Sequence, residues 1–310
     1  MNFFQNLLSS IMSRSRQGGY FRSKDFGILH EDINKALESV MSKSGEVSSL
    51  VYAEHLSHLI EDLDDEQFID FFNVLKEKYD IDADFLSKAS KEYSQNNTQK
   101  NLEIISKASK PKWIELFKRL NTVSEGTLRL VRLRERIRSL KKDNPNLAFF
   151  DASLLALFKH WFNPSFLVLQ KIDWATPANI LEKIIAYEAV HEINSWDDLR
   201  ARLEPEDRRC FAFFHPLIPN EPLIFVQVAL SSNMPESIKE VIKIDRSVTL
   251  DQDINTAIFY SISNCQEGLS GISFGNFLIK NITHHITHEI EDLNRFTTLS
   301  IEPSITNYLK

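Results

Sequence analysis

The stretch from Thr256 to Ser300 carries the residues whose types and spacing point most directly to chemistry. An apolar run, TAIFYSIS, gives way to the glycine-spaced EGLSGISFG, then to an amphipathic helical segment and a second strand-like run, FTTLS. Gly268, Gly271 and Gly275 have no Cβ, so the backbone there is free to take unusual dihedrals and to bring amides close to a ligand. The helix that follows turns the positive end of its dipole toward the same place. A diphosphate-bearing anion is the natural occupant, and a plain strand-to-helix turn with tight packing is the other reading of the same glycines. No Gly-Lys-Ser/Thr closes the loop, and the spacing is not the dinucleotide-binding G-x-G-x-x-G.

The elements around the loop place it. If Ala257–Ser263 and Phe296–Leu299 are strands flanking one helix, a right-handed crossover makes them parallel and adjacent. Ligands of such sheets sit beyond the carboxyl ends of the strands, so the loop from Ser270 to Asn276 and the residue Ser300 are expected to meet at one edge. A serine that merely ends a strand in a turn is the alternative for Ser300. Before this unit, CFAFFH and LIFVQVAL are β-rich runs joined by the proline-punctuated PLIPNEP, and they predict an antiparallel hairpin. His215, at the end of its first strand, reads as a turn cap.

Upstream of Trp196 the periodicity is helical, which places a domain boundary near Ser195, with a helical domain over 1–195 and a second domain over 196–310. Ile60, Leu63 and Phe68, then Phe71, Phe72, Leu75 and Tyr79, form apolar stripes from Glu31 to Leu86. The acidic cluster Glu61, Asp62, Asp64, Asp65, Glu66 and Asp70 lacks the pattern of an EF-hand loop and reads as a solvated helix start. Ser87 to Gln99 is polar and is expected to be a loop or a weak helix end. TLRLVRLRERIRSLKK, from Thr127 to Lys142, is an arginine-loaded helix whose exposed arginines are expected to pair with the acidic cluster. Asn163-Pro164 ends one helix, Thr176 and Pro177 start the next, and His191 near its end is expected to be structural.

Three segments carry a likeness to known proteins: HWFNPSFLVLQKIDWATPANILEKIIAYEAVHEINSWDDLRARL, RRCFAFFHPLIPNEPLIFVQVAL and AIFYSISNCQEGLSGISFGNFLIK. Their order of EAVH segment, HP-x-x-P-x-EPL hairpin and G-x-x-G-x-x-x-G loop resembles the malonyl-CoA decarboxylase family, over roughly Gly126 to Tyr308. The resemblance implies an α+β chain, an N-terminal all-α helical bundle followed by an N-acetyltransferase-like α/β catalytic domain. It implies a lyase that converts malonyl-CoA to acetyl-CoA and carbon dioxide in fatty-acid metabolism, with no metal and no cofactor. Ser270, Gly271, Ile272, Ser273, Phe274, Gly275 and Asn276 would bind the substrate, and Ser300, in TLSIEP where the family has L-S-P-I-P, would be catalytic.

Two departures accompany the likeness. Ser273 stands where the family commonly has a glutamate, and the HLxNGA segment that supplies the family's histidine is not in the sequence. An incomplete, truncated catalytic domain is therefore expected, poorly soluble or self-associated as a homo-oligomer, or complemented by a C-terminal fragment. The alternative reading is a catalytically inactive remnant that binds acyl-CoA or a protein partner.

Composition agrees with this class. The 310 residues allow two domains, and a formal charge of -7 argues against nucleic acid as partner. Cys210 and Cys265 lie in or beside apolar runs and are expected to be buried free thiols, as in a reducing compartment. No apolar run reaches the ~20 residues of a transmembrane helix, so a cytoplasmic protein is expected. The first 24 residues contain no acidic side chain and carry Arg14, Arg16, Arg22 and Lys24, which leaves a mitochondrial matrix presequence or a docked amphipathic helix open. His284 and His288, one turn apart, have zinc-ligand spacing but no convincing third ligand, and no metal site is expected.

Overall fold

A computed structural model describes residues 32–42, 46–235, 237–244, 246–249 and 253–299. The N-terminal segment with its possible presequence, and Ser300, lie outside the described residues. Two compact units divide between His160 and Trp161.

The first unit is helical among its described residues: α1 (Ile33–Met41), α2 (Glu46–Glu61), α3 (Asp65–Tyr79), α4 (Ala83–Gln95), α5 (Gln99–Ala108), α6 (Trp113–Leu120), α7 (Gly126–Leu140) and α8 (Leu147–Trp161). Phe68, Phe72 and Leu75 of α3, Trp113, Leu116 and Phe117 of α6 and Phe150 and Leu154 of α8 are buried. The Phe150 ring lies 4.7 Å from that of Phe72 and 4.6 Å from that of Trp113. The acidic cluster starts α3 as expected: Asp64 accepts from the Gln67 amide at 2.9 Å while Gln67 accepts from the Asp64 amide at 3.1 Å, a reciprocal cap. Arg136 pairs with Asp65 at 2.7 Å and Arg129 with Glu61 at 3.5 Å, joining the arginine-rich helix to that cluster. Arg134 is the exception, buried and bound to Asp151 at 2.8 Å.

The polar stretch Ser87–Gln99 is not a loop. Asp82 caps α4 by accepting from Phe85, Thr98 caps α5 by accepting from Asn101, and only residues 96–98 separate the two helices. Ala89 is the one buried residue of α4, so this helix carries almost no apolar stripe to betray it.

The second unit is a five-stranded sheet in the order β1-β2-β3-β4-β5. Its strands are β1 (Val168–Ile172), β2 (Arg208–Phe214), β3 (Ile224–Ser231), β4 (Thr256–Asn264) and β5 (Arg295–Thr298). The first four run antiparallel and β4–β5 is parallel, so the predicted hairpin and the predicted crossover are both present. Cys210, Ala212 and Phe214 of β2 and Phe225 of β3 pack with Ile180, Leu181 and Ile184 of α9 (Ala178–Tyr187) and Leu199 and Leu203 of α10 (Trp196–Leu203). The alternating residues Phe211 and Phe213 meet His285 and Phe277 of α12 (Gly275–Glu289). A short α11 (Ile238–Ile242) sets Val241 against Ala229, Ile258 and Tyr260.

This arrangement moves the division of the chain away from Ser195. The change of periodicity there falls inside the second unit, because β1 precedes it and pairs with β2 from Val168–Phe214 to Ile172–Cys210. Strand β1 escaped detection because LVLQKI is short and half exposed. The helix over 178–187 starts one residue later than expected, with Pro177 as its N-cap and Thr176 accepting instead from the Asp173 amide.

Candidate functional site

Strand β4 positions the glycine loop. The Cys265 amide donates to the Leu223 carbonyl at 3.0 Å and the Gln266 side chain to the Pro222 carbonyl at 3.2 Å, which fastens the end of β4 to the hairpin. A single 3-10 turn, Glu267–Leu269, follows, with Gly268 and Leu269 buried. Gly271 then takes φ of 88°, a left-handed conformation that residues with a Cβ adopt at a cost. Ser270 and Ile272 are half-buried, Gly271 and Ser273 exposed and Phe274 buried, so the loop offers its turn to solvent and anchors itself by Phe274. Gly275 opens α12 and Asn276 follows it. No side-chain cap hydrogen bond closes this helix, so the positive end of its dipole is left without the usual side-chain acceptor.

Strand β5 flanks the first half of β4. Its parallel pairing with β4 runs from Thr256–Arg295 to Phe259–Thr298, and the Leu299 amide donates to the Phe259 carbonyl at 2.9 Å. Strand β4 continues to Asn264, so its last residues extend past the paired region. At the same point β4 carries a bulge: Gln227 faces Ser261 and Val228 faces Phe259, leaving Tyr260 unmatched on β3. Ser300, which follows Leu299, lies outside the described residues.

Behind this stretch of β4 lies a network that reasoning from the sequence missed. Glu188, in the loop after α9 and 9 % exposed, accepts from the amides of Val190 and His191 at 2.8 and 2.9 Å. Its carboxylate also accepts from Ser261 at 2.8 Å, Ser263 at 3.2 Å and the Gln227 side chain at 3.0 Å. Arg202 holds the same loop from α10, donating to the carbonyls of His191 and Glu192 at 2.7 and 2.9 Å while bound to Asp198 at 2.9 Å. The signal was present in the sequence: Gln227, Ser261 and Ser263 interrupt apolar strands, and buried polar side chains require partners.

The remaining candidates take lesser places. Burial pushes the His215 imidazole down to about 4, and its Nδ1 accepts from the Leu217 amide at 3.2 Å, in keeping with a turn-capping role. His191 sits beyond the end of α9, its ring 6.4 Å from that of Tyr260. His284 and His288 stack edge to face at 4.4 Å on the exposed side of α12, and among the described residues no group of three His, Cys, Asp or Glu side chains is arranged to hold a metal ion. Cys210 and Cys265 are buried free thiols, and burial pushes both thiol pKa values up.

Comparison with known proteins gives the same picture. Residues 165–310 match the model of the malonyl-CoA decarboxylase C-terminal domain, and residues 79–162 that of the malonyl-CoA decarboxylase N-terminal domain. The chain is similar to the mitochondrial malonyl-CoA decarboxylases of Anser anser anser and Mus musculus, at 37% and 34% identity over 205 residues. Those alignments cover 64% of this chain and only 40% and 42% of the two relatives, so the chain matches about two fifths of their length. Among solved structures it is similar to the malonyl-CoA decarboxylase of Rhodopseudomonas palustris, with a TM-score of 0.85 and 42% identity, covering 89% of this chain and 67% of that one. The Agrobacterium vitis enzyme gives a TM-score of 0.86 and 41% identity, covering 90% of this chain and 68% of that one.

Proposed function

The chain belongs to the malonyl-CoA decarboxylase family, and from that premise we propose that it binds malonyl-CoA at the end of β4 and converts it to acetyl-CoA and carbon dioxide. The single observation that carries this reading is the loop from Ser270 to Phe274, with Gly271 left-handed at its turn and an uncapped helix behind it. A left-handed turn and the positive end of a helix dipole suit a pyrophosphate, and they sit in the segment matched by the family's C-terminal domain. Ser270, Gly271, Ile272, Ser273, Phe274, Gly275 and Asn276 form the proposed coenzyme site. In this reading the chain joins a helical domain to an acetyltransferase-like catalytic domain.

Loss of carbon dioxide leaves a thioester enolate, which needs donors at its oxygen and a proton at carbon. Backbone donors at a loop or helix start supply roughly 2.7–4 kcal/mol each when well placed. Ser300, one residue beyond the last rung between β4 and β5, is assigned to the proton transfer. No helix among the described residues is long and apolar enough to cross a membrane. Thermal denaturation with and without coenzyme A tests the binding half of the proposal: a rise in midpoint that grows with ligand concentration supports it, and an unchanged midpoint contradicts it.

A further inference from the structure

A buried carboxylate is stable without a cation only when donors fill its lone pairs. Glu188 has no ion pair among the described residues, and its donors are not scattered. The amides of Val190 and His191 belong to the loop after α9, and Ser261, Ser263 and Gln227 belong to β4 and β3 on either side of the bulge at Tyr260. One carboxylate therefore joins the loop to the stretch of β4 that runs past the last rung with β5. The Ser263 hydroxyl adds a second tie, accepting from the Ala189 amide at 3.3 Å.

The network is not closed on itself. Gln227 is fully buried, yet among the described residues its Oε1 has no hydrogen-bond partner, and neither has the buried Nε2 of His191. Each such atom costs its desolvation and calls for an explanation beyond packing. Both belong to residues bound to Glu188, and His191 lies beside Tyr260, where β4 leaves its register with β3.

We propose that Glu188 is a positioning residue for the acyl end of the bound thioester. It acts through Ser261 and through the Val190 and His191 amides, holding the end of β4 and the facing loop in one arrangement. The inference rests on the reading that the glycine loop takes the coenzyme, and it adds a residue outside that loop. The Ser261 hydroxyl hydrogen is committed to the carboxylate, so Ser261 turns only acceptor lone pairs to its other neighbours. Glu188→Gln keeps the shape and removes the charge, and Gln227 is able to turn its unpartnered oxygen toward the new amide.

Two probes, coenzyme A and acetyl-CoA, test this on the full chain, read by thermal shift and by amide hydrogen exchange of residues 188–194 and 260–265. Coenzyme A is expected to shift wild type and Glu188→Gln alike, since the loop and the start of α12 are untouched. Acetyl-CoA is expected to slow exchange in both segments roughly tenfold beyond coenzyme A in wild type, and the variant to lose that difference. With malonyl-CoA, the variant's kcat is expected to fall roughly tenfold or more while KM stays within about threefold.

An acetyl-dependent protection that survives in the variant, or is missing from a wild type that binds coenzyme A, overturns the positioning role. So does a kcat that falls only in step with thermal stability. A wild type unshifted by coenzyme A overturns the loop reading and the positioning role with it, and the first measurement tells that failure from the others. If Glu188→Gln fails to fold, Ser261→Ala is read by the same criteria.

Discussion

The Leu299 amide donates to the Phe259 carbonyl at 2.9 Å, on the last residue of β4 before the bulge at Tyr260. This rung fixes where β5 stops following β4. Strand β5 thus ends beside the middle of β4, which runs on alone to Asn264 before the Ser270–Phe274 loop and α12. The proposed assignment of Ser300 rests on its match to the family's serine.

Ser300→Ala is therefore expected to lower kcat for malonyl-CoA by roughly 10²–10⁴, the range for loss of a positioned proton donor or acceptor. KM is expected to move by no more than a few-fold, because the coenzyme contacts lie in the loop. Steady-state kinetics of the purified variant decide the matter, and turnover that survives the substitution assigns the proton to another group.

Gly271→Asp addresses the loop. At φ of 88° a side chain strains the backbone by roughly 1–2 kcal/mol, and in the proposed site the added carboxylate would repel the phosphates. The thermal shift given by coenzyme A is expected to vanish, while Gly271→Ala keeps part of it because no charge is added. Equal shifts in wild type and Gly271→Asp remove the loop from the site.

His215 makes stability sensitive to mild acid. Burial holds its imidazole at about 4, below the 6.5 of a free side chain, so between those values the unfolded chain takes up a proton that the folded one refuses. Its contribution is absent above about pH 6.5 and destabilises by up to about 3 kcal/mol as pH falls toward 4. Urea unfolding at pH 7 and pH 5 is expected to show a smaller difference for His215→Gln than for wild type. Identical pH dependence in the two proteins contradicts the assignment.

Asp151 tests the helical unit. It binds the buried Arg134 at 2.8 Å and also Lys141, and the two cations beside it hold its carboxyl below the usual range although burial opposes them. Asp151→Ala removes the carboxylate that the buried guanidinium binds, and a loss of roughly 1.5–3 kcal/mol is expected. A chemical denaturation midpoint close to wild type says that Arg134 finds water or another acceptor.

The parts of this fold legible in the sequence are those that announce themselves locally. CFAFFH and LIFVQVAL are apolar runs around a proline turn, and TAIFYSIS before glycines fixes both β4 and the direction of its crossover. Asp64 and Gln67 stand three residues apart, the spacing of a reciprocal cap. Strand β1 and helix α4 were not legible, because one is half exposed and short and the other buries only Ala89. Both owe their form to neighbours: β1 to its register with β2, α4 to its caps and to α5. The candidate site divides in the same way. The glycine loop reads from composition alone, whereas Glu188 meets Ser261 across a sequence gap of 73 residues that no local pattern spans.

Incubation of the purified protein with malonyl-CoA, with thioester products and carbon dioxide followed together, tests the central claim most directly. One acetyl-CoA and one carbon dioxide for each malonyl-CoA consumed is the predicted result, since the enolate is protonated at carbon and the thioester survives. Malonyl-CoA that is bound but unchanged, or that yields free coenzyme A and malonate by hydrolysis, contradicts it.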